Sequence, residues 1–337
     1  MSLPSDHVTN YEPVPGWAKV PHGIWMREAT AVTVDSNDRV YVFNRGNVPV
    51  LVFDPDGNLV DMWGTDDPEG SVRTTEDPYG NRLQFWDTWF MRAHGISTDH
   101  EDNLWLVDDV GNKIRKFTTT GELLLTIGTG EPVPRESGKM FNRPTDAAVM
   151  PTTGDVFISD GYGNSRVHRM DAQGNHILSW GESGTDNGKF NLPHNIAILD
   201  DDLVIVCDRE SNRVQVFTTE GEYVRQWPAH KACAIDVVGK GPNATVYVGE
   251  QGPAPVQRGV ANIGNCVSIF DWEGNLLDRF GNPHFGQGPD QFLWPHSVAV
   301  DSRGNVYIAE VSFVEWGRHQ NPPVDNPASL RKWRRKT

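Results

Sequence analysis

The strongest constraint on this chain is an internal repeat. A unit of roughly 35 to 50 residues recurs six times, and each copy holds four short strand-like segments separated by turns rich in Asp, Gly and Asn. The copies begin near Thr30, His94, Thr145, His194, Cys233 and His296. One four-stranded sheet cannot bury both of its faces alone, so such sheets stack around a central axis. The sequence therefore predicts an all-β fold, a single six-bladed β-propeller domain over residues 1–337.

Composition agrees with this architecture, since 33 glycines, 23 prolines and 12 tryptophans suit many tight turns between short aromatic strands. The pattern resembles the NHL-repeat family of six-bladed propellers. Ring closure requires a terminal segment to pair with the last blade, and either segment 11–20 or segment 330–335 is suited to this role. The longest insertions, 65–92, 129–143 and 251–265, are long enough to cover a channel mouth or to shape a site.

Charge and cysteine usage restrict the partners and the compartment. A net charge of −15 repels phosphate backbones and argues against nucleic-acid binding, and the basic run 331–336 is expected to be a solvated tail or a closing edge strand. The three cysteines, Cys207, Cys233 and Cys266, are predicted to be buried thiols in a reducing compartment. The start of the sequence does not resemble a signal peptide, and no apolar run is long enough to span a membrane. A cytoplasmic protein without membrane partners is expected.

The first position of each inner strand predicts a metal site. Because the inner strands line the axis, residues at the starts of the six repeats form one ring, in which histidine occupies the second, fourth and sixth places. Three imidazoles about 120° apart can bind a zinc ion, or another divalent metal, and leave one coordination position open. A structural cap of three hydrogen-bonded histidines is the alternative explanation.

A second ring lies where the second strand of each blade ends, at the same end of the channel. Most blades carry an acid here, which is expected to accept hydrogen bonds from neighbouring backbone or arginine groups. Arg45 and Arg209 depart from this pattern and could clamp a carboxylate. Tyr162, between Gly161 and Gly163, could come close to the axis and act as a base beside a metal ion.

These motifs resemble the peptidyl-α-hydroxyglycine α-amidating lyase family over nearly the whole array. The matching segments are His94-Gly95-Ile96, Pro144-Thr145-Asp146, Ser159-Asp160-Gly161-Tyr162, Pro193-His194, Asp208-Arg209-Glu210 and Pro295-His296. The resemblance implies that His94, His194 and His296 bind zinc, that Tyr162 is the base, and that Arg45 and Arg209 hold and polarise the substrate. It implies a reaction that cleaves the C–N bond of a carbinolamide and yields an amide and glyoxylate, so the partner is a small molecule that carries a carboxylate.

The chain also departs from that family. The family's structural calcium is held by two backbone carbonyls, matched here by Val32 and Ile96, and by an aspartate that Ser297 replaces, which argues against the calcium ion. Two other functions are compatible with the repeat. The same histidines could support a hydrolase that cleaves an ester, lactone or amide. The chain could also be a non-catalytic NHL binding propeller, since fold does not determine function.

Overall fold

A computed structural model describes residues 8–65, 73–76, 82–85, 89–252, 263–282 and 284–336. It contains six four-stranded antiparallel sheets, which confirms the predicted six-bladed all-β propeller. A separate two-stranded ribbon, Arg73–Glu76 with Arg82–Phe85, lies in the insertion between the first two blades. The parts of insertions 65–92 and 251–265 numbered 66–72, 77–81, 86–88 and 253–262 lie outside the described residues.

The strands of each blade are given from the axis outwards. Blade one contains Ala29–Val34, Val40–Asn44, Val50–Phe53 and Leu59–Trp63. Blade two contains Ala93–Thr98, Leu104–Asp108, Lys113–Phe117 and Leu123–Ile127. Blade three contains Asp146–Val149, Val156–Asp160, Arg166–Met170 and His176–Trp180. Blade four contains Pro193–Asp200, Leu203–Asp208, Arg213–Thr218 and Tyr223–Pro228. Blade five contains Ala232–Val238, Thr245–Glu250, Cys266–Asp271 and Leu276–Phe280. Blade six contains Pro295–Val300, Val306–Glu310, Leu330–Arg335 and Tyr11–Pro13.

The helices in the described residues are short connections at the ends of strands. They are the α-helices Gly161–Asn164 and Ser312–Glu315 and the 3₁₀ turns Arg209–Ser211, Gly241–Asn243 and Gly317–His319. None of the helices in these ranges has the length and apolar character that crossing a bilayer requires.

The ring is closed by both chain ends. The third strand of blade six comes from the C-terminal segment and the outermost strand comes from the N-terminal segment, where Tyr11 pairs with Arg335 and Pro13 with Trp333. The sequence presented these two segments as alternatives, and that either-or prediction is wrong. The basic run 331–336 is mostly a closing strand, and Arg331 forms an ion pair of 2.9 Å with Glu310.

The core lies between the blades. Strands Val40–Asn44, Leu104–Asp108 and Val156–Asp160 are buried along their whole length, as expected for sheets covered on both faces. Each core cluster joins neighbouring blades, as where Ile205 of blade four packs with Val248 of blade five. Burying this apolar surface between sheets is the main force that stabilises the array.

The acids that end the second strands act as connectors within and between elements. The carboxylate of Asp108 accepts hydrogen bonds from the backbone N–H groups of Met91, Arg92 and Gly111, and Asp208 pairs with Arg213 at 2.8 Å. This is the structural role expected for the acidic residues at the ends of the second strands. The three cysteines are free and buried, as predicted.

Candidate metal centre and active site

Three histidine side chains meet on the axis at one end of the channel. His94, His194 and His296 are 1%, 0% and 4% exposed, and their ring centres lie 4.7 to 5.1 Å apart. One nitrogen from each ring lies within 4.8 Å of the others, so the three can bind a single ion. The structure thus brings together the three residues that the repeat register selected.

Local irregularities in the inner strands accompany these histidines. In blade two, Ala93 pairs with Asp108 and Gly95 with Val107, which leaves His94 as an extra residue in a β-bulge. His296 occupies the equivalent bulge between Pro295 and Ser297. A bulge interrupts the strict alternation of a strand and re-aims the side chain of the extra residue. Here it allows the imidazole to turn towards the axis while the strand remains paired on both sides of it.

The other three members of the ring fix the orientation of the imidazoles. Each histidine Nδ1 hydrogen-bonds the backbone carbonyl of the next residue round the ring, at 2.6 Å for His94 to Thr145, 2.8 Å for His194 to Cys233 and 2.7 Å for His296 to Thr30. A carbonyl oxygen can only accept, so each Nδ1 carries the proton and each Nε2 presents a free lone pair. Metal-binding histidines are oriented in this way by their outer partners.

Electrostatics keeps the three rings neutral. Burial, together with the positive charge of the nearby Arg209, lowers the pKa of His194 to about 3. Burial also lowers the pKa of His94 and His296 well below the usual value, and the mutual repulsion of the rings acts in the same direction. Neutral imidazoles with free Nε2 atoms are the form that binds a divalent metal. The chemistry of this donor set therefore fits zinc or a similar ion.

Tyr162 lies directly beside the histidines. Its hydroxyl is 3.0 Å from Nε2 of His94 and 3.3 Å from Nε2 of His194. The flanking glycines make this position reachable, because a Cβ on Gly161 would lie 1.9 Å from the carbonyl oxygen of Pro193 and one on Gly163 would also collide with a neighbour. Burial raises the pKa of the Tyr162 phenol, and the positive charge of Arg209 opposes that rise.

The two arginines selected from the sequence lie at the same end of the channel. The guanidinium of Arg209 is 5.9 Å from the centre of the Tyr162 ring, and its Nε donates to Glu210 at 2.8 Å. Arg45 donates through Nε to the backbone carbonyl of Ala93, the residue before His94, and forms an ion pair of 2.9 Å with Glu28. Carboxylate partners hold both guanidinium groups in place within the site.

Sequence reasoning missed a buried cluster formed by Arg92, Asp109 and Arg143. Arg92 forms a two-point ion pair with Asp109, and Nη2 of Arg143 lies 3.0 Å from the same carboxylate. The Arg143 guanidinium stacks over the Tyr162 ring at 4.4 Å. These arginines lower the pKa of Asp109 to about 2 even though burial acts in the opposite direction.

A signal for the two arginines exists in the repeat. Arg92 and Arg143 each stand two residues before the ring position of their blade, in a third column whose members are Glu28, Arg92, Arg143, Leu192, Lys231 and Trp294. Three of these, Arg143, Leu192 and Lys231, share a positive φ of 63°, 81° and 42°, which supports their equivalence. Extending the register two residues upstream would have identified both arginines.

Two of the positions related to the family's calcium site, Val32 and Ser297, are joined by direct hydrogen bonds. The Ser297 hydroxyl accepts from the backbone N–H of Val32 at 3.1 Å and lies 3.3 Å from the Val32 carbonyl oxygen. The serine side chain thus links blades six and one next to His296.

Comparison with known proteins finds an NHL-repeat family match and relatives among amidating lyases and NHL-repeat proteins. The NHL repeat family matches residues 141–170 and 190–217. Peptidyl-alpha-hydroxyglycine alpha-amidating lyase 1 of Drosophila melanogaster is 27% identical over 339 residues, which cover 92% of this chain and 60% of that protein. NHL repeat-containing protein 3 of Homo sapiens is 30% identical over 319 residues, covering 88% of this chain and 80% of that protein.

Two further similarities extend the comparison. Peptidyl-glycine alpha-amidating monooxygenase B of Xenopus laevis is 28% identical over 302 residues, or 84% of this chain, and the match spans 33% of that longer protein. A solved streptogramin B lyase structure shares the fold with a TM-score of 0.56 at 12% identity, covering 96% of this chain and 97% of that one. The chain belongs to the NHL-repeat family of six-bladed β-propellers that includes NHL repeat-containing protein 3, and it is homologous to the peptidyl-α-hydroxyglycine α-amidating lyase domains.

Proposed function

We propose that this chain is a metal-dependent carbon–nitrogen lyase that cleaves an N-acyl-α-hydroxyglycine, or a closely related carbinolamide, into an amide and glyoxylate. One observation carries the proposal. The Tyr162 hydroxyl lies within hydrogen-bond distance of the free Nε2 atoms of two of the three converging histidines. A base and a metal-binding face therefore share one small space, as the reaction requires.

His94, His194 and His296 would hold the metal through their Nε2 atoms. When bound, a zinc ion or similar dication acts as a Lewis acid on the substrate hydroxyl oxygen and lowers the pKa of that hydroxyl. The hydrogen bonds from Nδ1 to the backbone carbonyls of Thr145, Cys233 and Thr30 would keep the rings turned towards the axis when the metal binds.

Tyr162 would move the proton. As a phenolate, the form that the charges of Arg209 and of a bound dication would favour against the effect of burial, it would take the proton of the substrate hydroxyl, and the electron pair of that O–H bond would become the second bond of the new aldehyde. The C–N bond breaks, its electron pair leaves with the amide nitrogen, and the same tyrosine returns the proton to that nitrogen. The products are a primary amide and glyoxylate, so atoms and charge balance and Tyr162 is regenerated.

The arginines would bind and orient the substrate carboxylate. Both are held by acidic neighbours, Arg45 by Glu28 and Arg209 by Glu210, and a guanidinium presents its remaining N–H groups as a planar fork suited to a carboxylate. Arg209 also places a positive charge near Tyr162 and so opposes the effect of burial on the phenol. A hydrolase needs no such carboxylate clamp, which favours the lyase. The homology to a protein named as an amidating lyase supports the same choice.

The proposal is tested by measuring glyoxylate release from α-hydroxyhippurate. Wild-type protein is stripped of metal with a chelator, and one part of it is reloaded with zinc. The stripped and the reloaded samples are each assayed with α-hydroxyhippurate and with a set of simple esters. We expect glyoxylate and benzamide in equal amounts from the zinc-loaded sample and none from the stripped one. Ester cleavage without glyoxylate would support the hydrolase. A protein that neither binds metal nor turns over any of these compounds would be a binding propeller.

A further inference from the structure

The most informative feature outside the proposed mechanism is the charge of the cluster Arg92, Asp109 and Arg143. Two guanidinium groups share one carboxylate, and Asp109 is the only acid within ion-pair distance of either arginine in the described residues. Arg92 makes the two-point pair with Asp109, whereas Arg143 contacts it through Nη2 alone. One positive charge of this cluster is therefore not balanced by a neighbouring acid.

That surplus charge is placed at Arg143. The Arg92 side chain is 9% exposed and Asp109 is fully buried, whereas 27% of the Arg143 side chain remains accessible. The Nε atom of Arg143 is itself buried and has no hydrogen-bond partner among the described residues. A buried N–H without an acceptor is costly, and an anion held by the accessible part of the same guanidinium would balance the surplus charge.

The position of Arg143 is fixed and lies within the site. Its guanidinium stacks over the Tyr162 ring at 4.4 Å, and its backbone N–H donates to the side chain of Asn112 at 2.9 Å. Its φ of 63° is uncommon for a residue other than glycine, so the surrounding structure holds it in this conformation. A group bound by Arg143 would therefore lie next to the tyrosine that we propose as the base.

From this geometry we infer that Arg143 is an anion-binding, specificity-determining residue, and that the substrate carries a second anionic group besides the carboxylate assigned to Arg45 and Arg209. The inference rests on the proposed function for the first carboxylate. It narrows the substrate class to α-hydroxyglycine derivatives whose acyl part ends in an acid.

The test uses two unreactive ligands that lack the hydroxyl group. N-succinylglycine carries the second carboxylate, and N-(4-methylpentanoyl)glycine has the same shape with an isopropyl group in its place. Binding to zinc-reloaded protein is measured by calorimetry. We expect wild-type protein to prefer N-succinylglycine by about ten-fold or more, because a charge-assisted hydrogen bond is made only with the acid.

The variant Arg143→Gln should reduce that preference to within about three-fold, and Arg143→Lys, which keeps the charge, should retain part of it. The matched control is Arg303→Gln, which removes the same charge from an arginine whose side chain is 63% exposed and pairs with Asp38 in a turn of blade one; it should keep the full preference. Circular dichroism of each variant confirms that it is folded.

Equal binding of the two ligands by wild-type protein, no binding of either, or a preference that persists in folded Arg143→Gln would overturn the inference. Its failure is distinguishable from failure of the proposed function. Glyoxylate release from α-hydroxyhippurate without a preference for the diacid would leave the lyase intact, and a preference for the diacid without any glyoxylate would leave the anion site intact.

Discussion

The substitution Tyr162→Phe separates metal binding from chemistry in this site. It removes a single oxygen atom, which lies 3.0 Å from Nε2 of His94 and 3.3 Å from Nε2 of His194, and leaves the aromatic ring in place. The ring keeps its stacking contact with Arg143, and none of the three histidines changes. The variant should therefore fold and bind metal, but it should lack the group that accepts the substrate proton.

The expected effect on stability is small and the effect on catalysis is large. The hydroxyl has one proton to donate, so at most one hydrogen bond is lost, which costs about 0.5–1.5 kcal/mol of folding free energy. Loss of a general base lowers kcat by about 10²- to 10⁴-fold, which raises the barrier by about 2.7–5.5 kcal/mol. The two magnitudes differ enough that one set of measurements distinguishes a catalytic role from a structural one.

The assay combines glyoxylate release from α-hydroxyhippurate, metal content by elemental analysis and a urea unfolding curve. Tyr223→Phe is the control, because Tyr223 lies in the outermost strand of blade four and packs against Phe217. Metal content should be unchanged in both variants, and only Tyr162→Phe should lose turnover. A metal-loaded Tyr162→Phe protein with kcat within about three-fold of wild type would refute the assignment of Tyr162 as the base.

Two more substitutions test the metal site and the buried acid behind it. His194→Ala removes one of the three converging histidines, so the purified variant should contain far less than the expected one dication per chain. The exposed control His100→Ala should keep the metal content of wild type, and equal metal in both variants would contradict the site. Burial raises the pKa of Asp146 to about 7, so its contribution to stability is fully present below the unfolded pKa near 3.9 and is lost as the pH rises through 7. In Asp146→Asn the side-chain oxygen can still accept a hydrogen bond from Asn195. As the pH rises from 5 to 8, the free energy of unfolding of this variant, measured in urea, should therefore increase by about 2 to 3 kcal/mol relative to that of wild type. A difference in unfolding free energy that is independent of pH would disprove the raised pKa.

The repeat register predicted the part of the site that repeats. Because equivalent positions of equivalent blades lie on one ring, spacing alone was enough to bring His94, His194 and His296 together. The same register gave Thr30, Thr145 and Cys233 as the alternate members, although it did not reveal that their carbonyls orient the imidazoles. That role depends on bulges and on contacts between blades, which sequence spacing does not encode.

Features that do not recur in every blade were harder to predict. Asp109 pairs with both Arg92 and Arg143, which lie 17 and 34 positions away in the sequence, and no other blade has the same combination of residues. The prediction of a single closing segment was wrong for a related reason. Both end segments contain strand-like residues, and only the three-dimensional ring shows that blade six has room for both.

The shared construction of blade six would make the proposed metal site depend on both end segments of the ring. The third proposed ligand, His296, lies in the one blade whose outer half is supplied by Leu330–Arg335 and Tyr11–Pro13. During synthesis, residues 330–335 emerge after every other strand of the ring, so the blade that carries His296 can be completed only at the end. If the proposed metal site is correct, a chain that lacks either end segment would hold His296 in an incomplete blade and should bind the metal more weakly. Because the metal would bind the closed ring more tightly than an open one, it would stabilise the closed ring by mass action.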